Sequence, residues 1–379
     1  MNNRSVVIAG TGIHPFGRFE GTSVTELGVV AVSEALTAAG NPSVQAAFCG
    51  TAYAGVAAGH KVLGALGLTG PPIVDVEAGC ASGGAALMLA AGAIRAGQYD
   101  CVLVLGIEKM PKGIIRSSFF EPWREEAGLA STPAYFALRA QRLMRESGVT
   151  KDHLAAVVVK NRRHGVHNAD AMFRKEVTAE EVLASRVVCE PLHLWMLCSP
   201  NEGAAAVVLR AATGRTPDGV TLAAAALRSH LPGSVLNEGT PLAGLADDDD
   251  IPAPTTLAAR AAYEEAGLGP DDVDVVECQD TDAARELLSY EELGLVAPGD
   301  AGKWIAEGAT ALGGRLPVNP SGGLLSKGEP LGASALGQVV ELTAQLRGEA
   351  RPRQVDGARV ALGHTVGRGA NASVVLLRR

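Results

Sequence analysis

Aromatic residues make up only 4% of this 379-residue chain, so large rings cannot be what fills its interior. A core without them is built from small and branched aliphatic side chains, and the 46 glycines allow backbones to approach closely. Paired cysteine spacings are also missing. Cys49, Cys80, Cys101, Cys189, Cys198 and Cys278 form no CxxC, which argues against a zinc ribbon or a disulfide framework and suits a reducing compartment. Excess positive charge is absent, and a formal net charge of -8 argues against a nucleic-acid binder. The opening MNNRSVVIAGTGIH lacks the charged n-region and apolar core of a signal segment and reads as a first strand. The longest uncharged run follows Ala78, but its glycines and its place behind a strand suit a buried helix better than a membrane span. The expectation is a soluble, cytoplasmic protein with no metal site of its own.

What the sequence does have is hydrophobic material, 47% against 20% charged, and one stretch around which the rest is organised. PPIVDVEAGCASGGAALMLAAGAIRA, residues 71–96, begins with an apolar run, Ile73 to Val76, that reads as a buried strand. It breaks at Ala78-Gly79, and Cys80 then opens a segment long enough for three or four helical turns. A cysteine at that junction faces unpaired backbone N–H groups and the positive end of a helix dipole, which favours the thiolate. Cys80 is thus either a nucleophile or a small hydrophobe in a tight corner.

Along the chain, Val6 to Ala9 reads as a strand and GTGIHPFG as a turn-rich loop. Ser23 and Glu26 have capping-box spacing ahead of a helix through Ala39, with Leu27, Val30, Ala31 and Leu36 on one face. The alternation of strands and helices up to Leu105 implies a parallel sheet covered on both faces. From Lys109 to Lys175 basic residues become frequent, including Arg116, Arg124, Arg139 and Lys160. They form either a landing site for an anionic ligand or solvated helix faces. Pro232 to Asp250 is loop-like and acidic, and the boundary between two halves is placed there. Beyond it the plan repeats: a helix opens at Pro254-Thr255, a strand spans Val273 to Val276, and CQDTDAARELLSYEELG follows as turn and helix. The repeat suggests two copies of one α/β unit, with Cys80 and Gln279-Asp280 at the ends of corresponding strands. Glycine-rich loops close the chain, and Glu329 and His364 are the titratable residues that stand out in them. His164 and His167 have the spacing of helical metal ligands, but hydrogen-bonding or solvated roles suit them better.

Taken together, these pieces resemble the thiolase superfamily, in particular sterol-carrier-protein-type and archaeal-type thiolases, over essentially the whole chain. GCASGGAAL matches the nucleophile motif, and VKNRRHGVHNADAMF is similar to KNHxxxxxNPxxxF. CSPNEGAAAVVL resembles CPxxDGAAA, NPSGGLLSKGEPLGASALGQ matches NxxGGxxxxGHPxGAxG, and HTVGRGANASVVL is close to the HNxGxGG ending. The resemblance implies an α/β fold of duplicated, five-layered α-β-α-β-α type. Its N-terminal half would be residues 1–235, with a loop domain at about 109–190, and its C-terminal half residues 236–379. It implies acyl transfer through a thioester on Cys80, with coenzyme A thioesters as substrates, no permanently bound cofactor, and a homodimer or larger assembly. It also implies Asn319 and Gly367 as substrate or oxyanion contacts, and a small zinc-ribbon/OB-fold acyl-CoA-binding protein as a partner.

The departures are informative. The histidine of the GHP motif is Glu329 here, and a carboxylate beside a thiol disfavours the thiolate unless a cation attends it. His364 is the expected cation, in a Cys80–His364–Glu329 arrangement. The HDCF or NEAF position reads Gln279-Asp280-Thr281, where Gln279 can donate a hydrogen bond but cannot act as a base. The second cysteine of degradative thiolases falls at or beside Gly363-His364. The expected function is formation or cleavage of a C–C bond beside an acyl-CoA thioester. The alternatives are a thiolase-fold retro-aldolase working with the zinc-ribbon/OB-fold partner, or a non-catalytic thiolase-like subunit.

Overall fold

The computed structural model describes residues 4–112, 123, 126, 131–213, 219–231, 251–367 and 371–379. The first half begins β1 (Val6–Gly17), α1 (Val24–Ala38), β2 (Ala46–Gly50), α2 (Ala58–Ala65), β3 (Ile73–Val76), α3 (Ser82–Arg95) and β4 (Cys101–Lys109). An excursion follows with α4 (Thr132–Ser147), α5 (Lys151–Gly165), α6 (Ala179–Ala184), β5 (Val187–Cys189) and β6 (Leu192–His193). The chain returns as β7 (Glu202–Ala211) and β8 (Thr221–Ser229). Then come α7 (Pro254–Ala266), β9 (Val275–Glu277), α8 (Ala283–Glu292), α9 (Ala301–Ala306), α10 (Gly323–Lys327), α11 (Leu331–Arg347), β10 (Val360–Gly367) and β11 (Asn371–Arg378). The boundary expected near residues 235–236 lies outside the described residues.

Several local expectations hold and others change. The capping box of α1 is formed, with Ser23 Oγ accepting from Glu26 N at 3.2 Å and Glu26 Oε2 from Ser23 N at 2.7 Å. Val30 nevertheless lies outside the buried face, 46% exposed. GTGIHPFG is no loop but the continuation of β1. Its glycines make a floor for α1: a Cβ at Gly10 would sit 2.2 Å from the Ala35 carbonyl oxygen, and one at Gly12 2.3 Å from that of Ala31. Ile73–Val76 is an edge strand with Val74 exposed, so apolar composition marked a strand without marking its depth.

The strands run in the order β3-β2-β4-β7-β1-β8-β11-β10-β9. The expected parallel sheet is mixed. β2 pairs in parallel with β3 and β4, as does β9 with β10, whereas β4–β7, β1–β7, β1–β8, β8–β11 and β10–β11 are antiparallel. The excursion explains part of this. The chain leaves β4 at Lys109 and re-enters at Glu202, its register partner, so β7 has to run back along β4.

The three largest apolar clusters among the described residues divide the protein into layers. One joins α1 and α2 to β2, β4 and β7; a central one joins α3 and α11 to strands of both halves. The third joins α7 and α8 to β8, β10 and β11, and residues of α4 and α5 share it. The layers are therefore α-β-α-β-α. α3 and α11 pack together in the middle with their N-terminal ends adjacent, since a Cβ at Gly83 would come within 2.8 Å of the Gly332 carbonyl oxygen. No helix among the described residues is long and apolar enough to cross a membrane.

Candidate active site

Cys80 does not open its helix but sits two residues ahead of it, in a turn that α3 holds from below. Ser82 Oγ accepts from Ala78 N at 2.8 Å and donates to Gly79 O at 2.6 Å, and Gly79 has the positive φ of 60° that the turn requires. Cys80 is 6% exposed and packs against Met110, Leu331 and Ala52. Leu331 is the first residue of α11, so Cys80 lies where two helices end. Buried Glu108 fixes that junction, accepting from Ala52 N (2.9 Å), Tyr53 N (2.8 Å) and Gly332 N (3.2 Å), while burial pushes its own pKa up.

Glu329 stands two residues before α11 and is 5% exposed. Its backbone is clipped to the segment before β7, with Glu329 N donating to Ser199 O at 2.9 Å and Asn201 N to Glu329 O at 3.3 Å. Its carboxylate accepts on both oxygens, from Gln279 Nε2 at 3.0 Å and from the Cys198 thiol at 3.1 Å. Gln279 Oε1 in turn accepts from Val366 N of β10, and Cys198 N donates to Thr281 O at 2.9 Å. Three distant segments thus meet at one carboxylate. Burial pushes the Cys198 thiol well up, and the Glu329 charge and that of a Cys80 thiolate push the same way, so Cys198 is held as a thiol. Gly367 closes the other side: a Cβ there would lie 2.1 Å from the Ala78 carbonyl oxygen and 3.2 Å from Ala81 Cβ.

Two expected site residues are not brought to Cys80. His364 is fully buried on the opposite face of β10, its Nε2 3.1 Å from Thr255 Oγ1 of α7. Burial, reinforced by Arg285, holds its pKa well below the ordinary range, so it is neutral and cannot be the cation between Cys80 and Glu329. The reason is strand parity: Gly367 faces the Cys80 turn, and a residue three positions away on the same strand faces the other side. Asn319 spends both ends of its amide elsewhere, Nδ2 donating to Glu286 Oε2 at 2.7 Å and Oδ1 accepting from Cys278 N at 2.9 Å. It belongs to a buried polar network with Lys160, Asn161, Asp280 and Tyr290 centred on Glu286. His164 is likewise internal, Nδ1 to Asn319 O at 2.9 Å and Leu312 N to Nε2 at 3.1 Å, its pKa lowered to about 3 by burial and nearby Lys160. Of the basic stretch, Lys109, Arg139 and Lys160 are paired inward with Glu202, Asp282 and Glu286; Arg116 and Arg124 lie outside the described residues. No group of three or more metal-ligating side chains occurs among the described residues.

Residues 6–213 match the family description "Thiolase, N-terminal domain" and residues 246–379 "Thiolase C-terminal domain-like". The chain belongs to the thiolase family. Within it, the chain is similar to a benzoylsuccinyl-CoA thiolase subunit, BbsB, of Thauera aromatica, 38% identical over 97% of this chain and 96% of that protein. It is also similar to sterol carrier protein 2 of Bos taurus (36%, covering 100% and 73%) and to acetyl-CoA acetyltransferase of Methanothermobacter thermautotrophicus (35%, 99% and 100%). Among solved structures it is similar to an Ltp2-ChsH2(DUF35) aldolase, with a TM-score of 0.86, 24% identity and 99% and 98% coverage. Human mitochondrial 3-ketoacyl-CoA thiolase gives 0.73, 17%, and 100% and 99%. Relatives named as acyltransferases support an acyl-CoA acyltransferase kind of activity for this thiolase-family chain, on thioester substrates.

Two residues near the site carry no role in the thiolase motifs taken one by one. Cys198, in CSPNEG, carries the same sign as Cys80, a thiol in a loop ahead of an apolar stretch. Thr365 shares the Gly363 and Gly367 face of β10, turned toward the layer of α3 and α11, and parity alone would have chosen it over His364.

Proposed function

We propose that this protein is a thiolase-type acyl-CoA acyltransferase that forms or cleaves a C–C bond beside a thioester through an acyl group on Cys80. The observation that carries the reading is the junction itself: a buried thiol between two helix N-termini, a carboxylate two residues ahead of the helix whose Leu331 packs on that thiol, and the Gly367 backbone against its turn. Cys80 attacks the carbonyl, Glu329 takes its proton, and backbone N–H groups of the Cys80 turn and Gly367 receive the oxyanion. Gln279, which cannot titrate, fixes the Glu329 carboxylate. Coenzyme A enters as substrate and leaves as product. The chain works in the cytoplasm as a homodimer or larger assembly of two-halved subunits and takes a small DUF35-type partner, as named for the aldolase it resembles. Incubation with a panel of acyl-CoAs followed by intact-protein mass spectrometry tests this. A mass gain equal to the acyl group, present in the wild type and absent in Cys80→Ala, is the expected outcome; no gain with or without such a partner ends the acyl-enzyme reading.

A second reading, retro-aldol cleavage of a β-hydroxyacyl thioester, is favoured by the carboxylate at position 329. A β-hydroxyl proton needs a base and no covalent acyl-enzyme. In that case a β-hydroxyacyl-CoA would be cleaved by Cys80→Ala at the wild-type rate.

A further inference from the structure

Breaking the bond between the α and β carbons of a β-ketoacyl thioester leaves an electron pair on the α-carbon of the departing acyl-CoA. Making that bond requires the same pair to be created. Either direction moves one proton at carbon in addition to the one that leaves Cys80. In the acyl-transfer reading Glu329 is taken up by the Cys80 proton, Gln279 does not titrate, and His364 is on the far face of β10 against Thr255. Among the described residues, Cys198 is a titratable side chain in hydrogen-bonding contact with Glu329, its sulfur 3.1 Å from Oε2. Besides burial and the Glu329 charge, a charge on Cys80 also acts on the Cys198 thiol.

We propose that Cys198 is the second acid–base residue of this site, exchanging a proton with the substrate α-carbon, and that the charge on Glu329 sets when it does so. The proposal rests on the acyl-transfer reading and adds a residue to it. At rest Glu329 is a carboxylate and Cys198 a thiol donating to it. Cys80 passes its proton to Glu329 and bonds to the ketone carbon. The bond to the α-carbon breaks, its electron pair stays on that carbon, and the Cys198 proton goes there. The CoA thioester that carries the α-carbon leaves, and the shortened acyl chain stays on Cys80. Cys198 is now a thiolate beside a neutral carboxylic acid, whose O–H donates to the sulfur. Coenzyme A thiol then gives its proton to Cys198 and attacks the thioester, and Cys80 departs as a thiolate that recovers its proton from Glu329. No oxidant or reductant is needed, and Glu329 and Cys198 never carry negative charge together, which their contact would penalise. Burial is the larger barrier to a Cys198 thiolate, and protonation of Glu329 removes the charge that adds to it, so the carbon proton transfer follows capture of the Cys80 proton.

The test measures exchange of α-hydrogens for deuterium in acetyl-CoA and propionyl-CoA in D2O, alongside Cys80 acylation by mass. Cys198→Ser keeps a donor for Glu329 but has a far less acidic proton. We expect exchange to fall at least about 100-fold while acylation falls less than about tenfold. Glu329→Gln is the independent variant: it slows acylation yet retains exchange, because the charge opposing the Cys198 thiolate is gone. Exchange in Cys198→Ser at the wild-type rate overturns the proposal, as does parallel loss of both readouts in Glu329→Gln. No exchange by the wild type also overturns it. Exchange that depends on Cys198 without any acylation of Cys80 upholds the residue and removes the acyl-enzyme reading instead.

Discussion

Replacing Gly367 by alanine perturbs the site without touching any titratable group. Its backbone is ordinary extended strand, so the cost is steric: the new Cβ would lie 2.1 Å from the Ala78 carbonyl oxygen. Ordinary contact requires the Cys80 turn or the end of β10 to retreat by about 1 Å. Overpacking of this kind costs about 1–3 kcal/mol, which lowers the melting temperature by a few degrees. A shift of about 1 Å at a nucleophile held by Ser82 and Gly79 predicts an acylation rate reduced about 100-fold. Gly363→Ala is the control, on the same strand and the same face. Its Cβ would meet nothing nearer than Leu342 Cδ1 at 3.4 Å, so both stability and acylation stay near wild type. Rates of Cys80 mass gain and thermal melts of the three proteins decide the matter. If Gly367→Ala acylates as fast as Gly363→Ala, the Ala78–Gly367 contact does not position Cys80 and the oxyanion assignment falls with it.

Glu329→Gln keeps the hydrogen-bonding shape but removes the base, and is expected to slow Cys80 acylation by about 100- to 10,000-fold with the melting temperature little changed. His364→Gln is expected to leave acylation within about threefold while losing about 1 kcal/mol of stability from the Thr255 contact; a 100-fold loss of acylation would restore His364 to the chemistry. His164 is neutral in the fold, with a pKa near 3, but titrates near 6.5 when unfolded. Its contribution is therefore fully present above about pH 6.5 and declines as pH falls toward 3, because the unfolded chain binds the extra proton. Between pH 7 and pH 5 this is on the order of 2 kcal/mol, and His164→Gln is expected to flatten that part of the urea-midpoint profile.

Much of the local structure was legible because it depends on neighbouring residues. The Ser23–Glu26 box, the helix opened by Pro254-Thr255, and the break ahead of Cys80 depend on residues a few positions apart, and the ordered motifs carried the family and its layered fold. Composition gave the manner of packing too, with glycine floors such as Gly10 and Gly12 beneath α1. Strand direction was not local. β7 runs against β4 because of where residues 110–201 return the chain, which no window of sequence records.

The site divides in the same way. Sequence determined that Cys80 sits at a strand-to-helix turn, that Glu329 occupies the GHP position, and that Gln279 follows a strand end. Only tertiary structure decided what faces what. It turned His364 toward Thr255, gave the Asn319 amide to Glu286, and brought Cys198 from the first half to a carboxylate 131 positions away. A residue's type states the chemistry it can do, but its partner is set by parity on a strand and by chain closure over a hundred residues or more. Those are properties of the folded layers, and the linear order of residues contains them only through the packing of all the others.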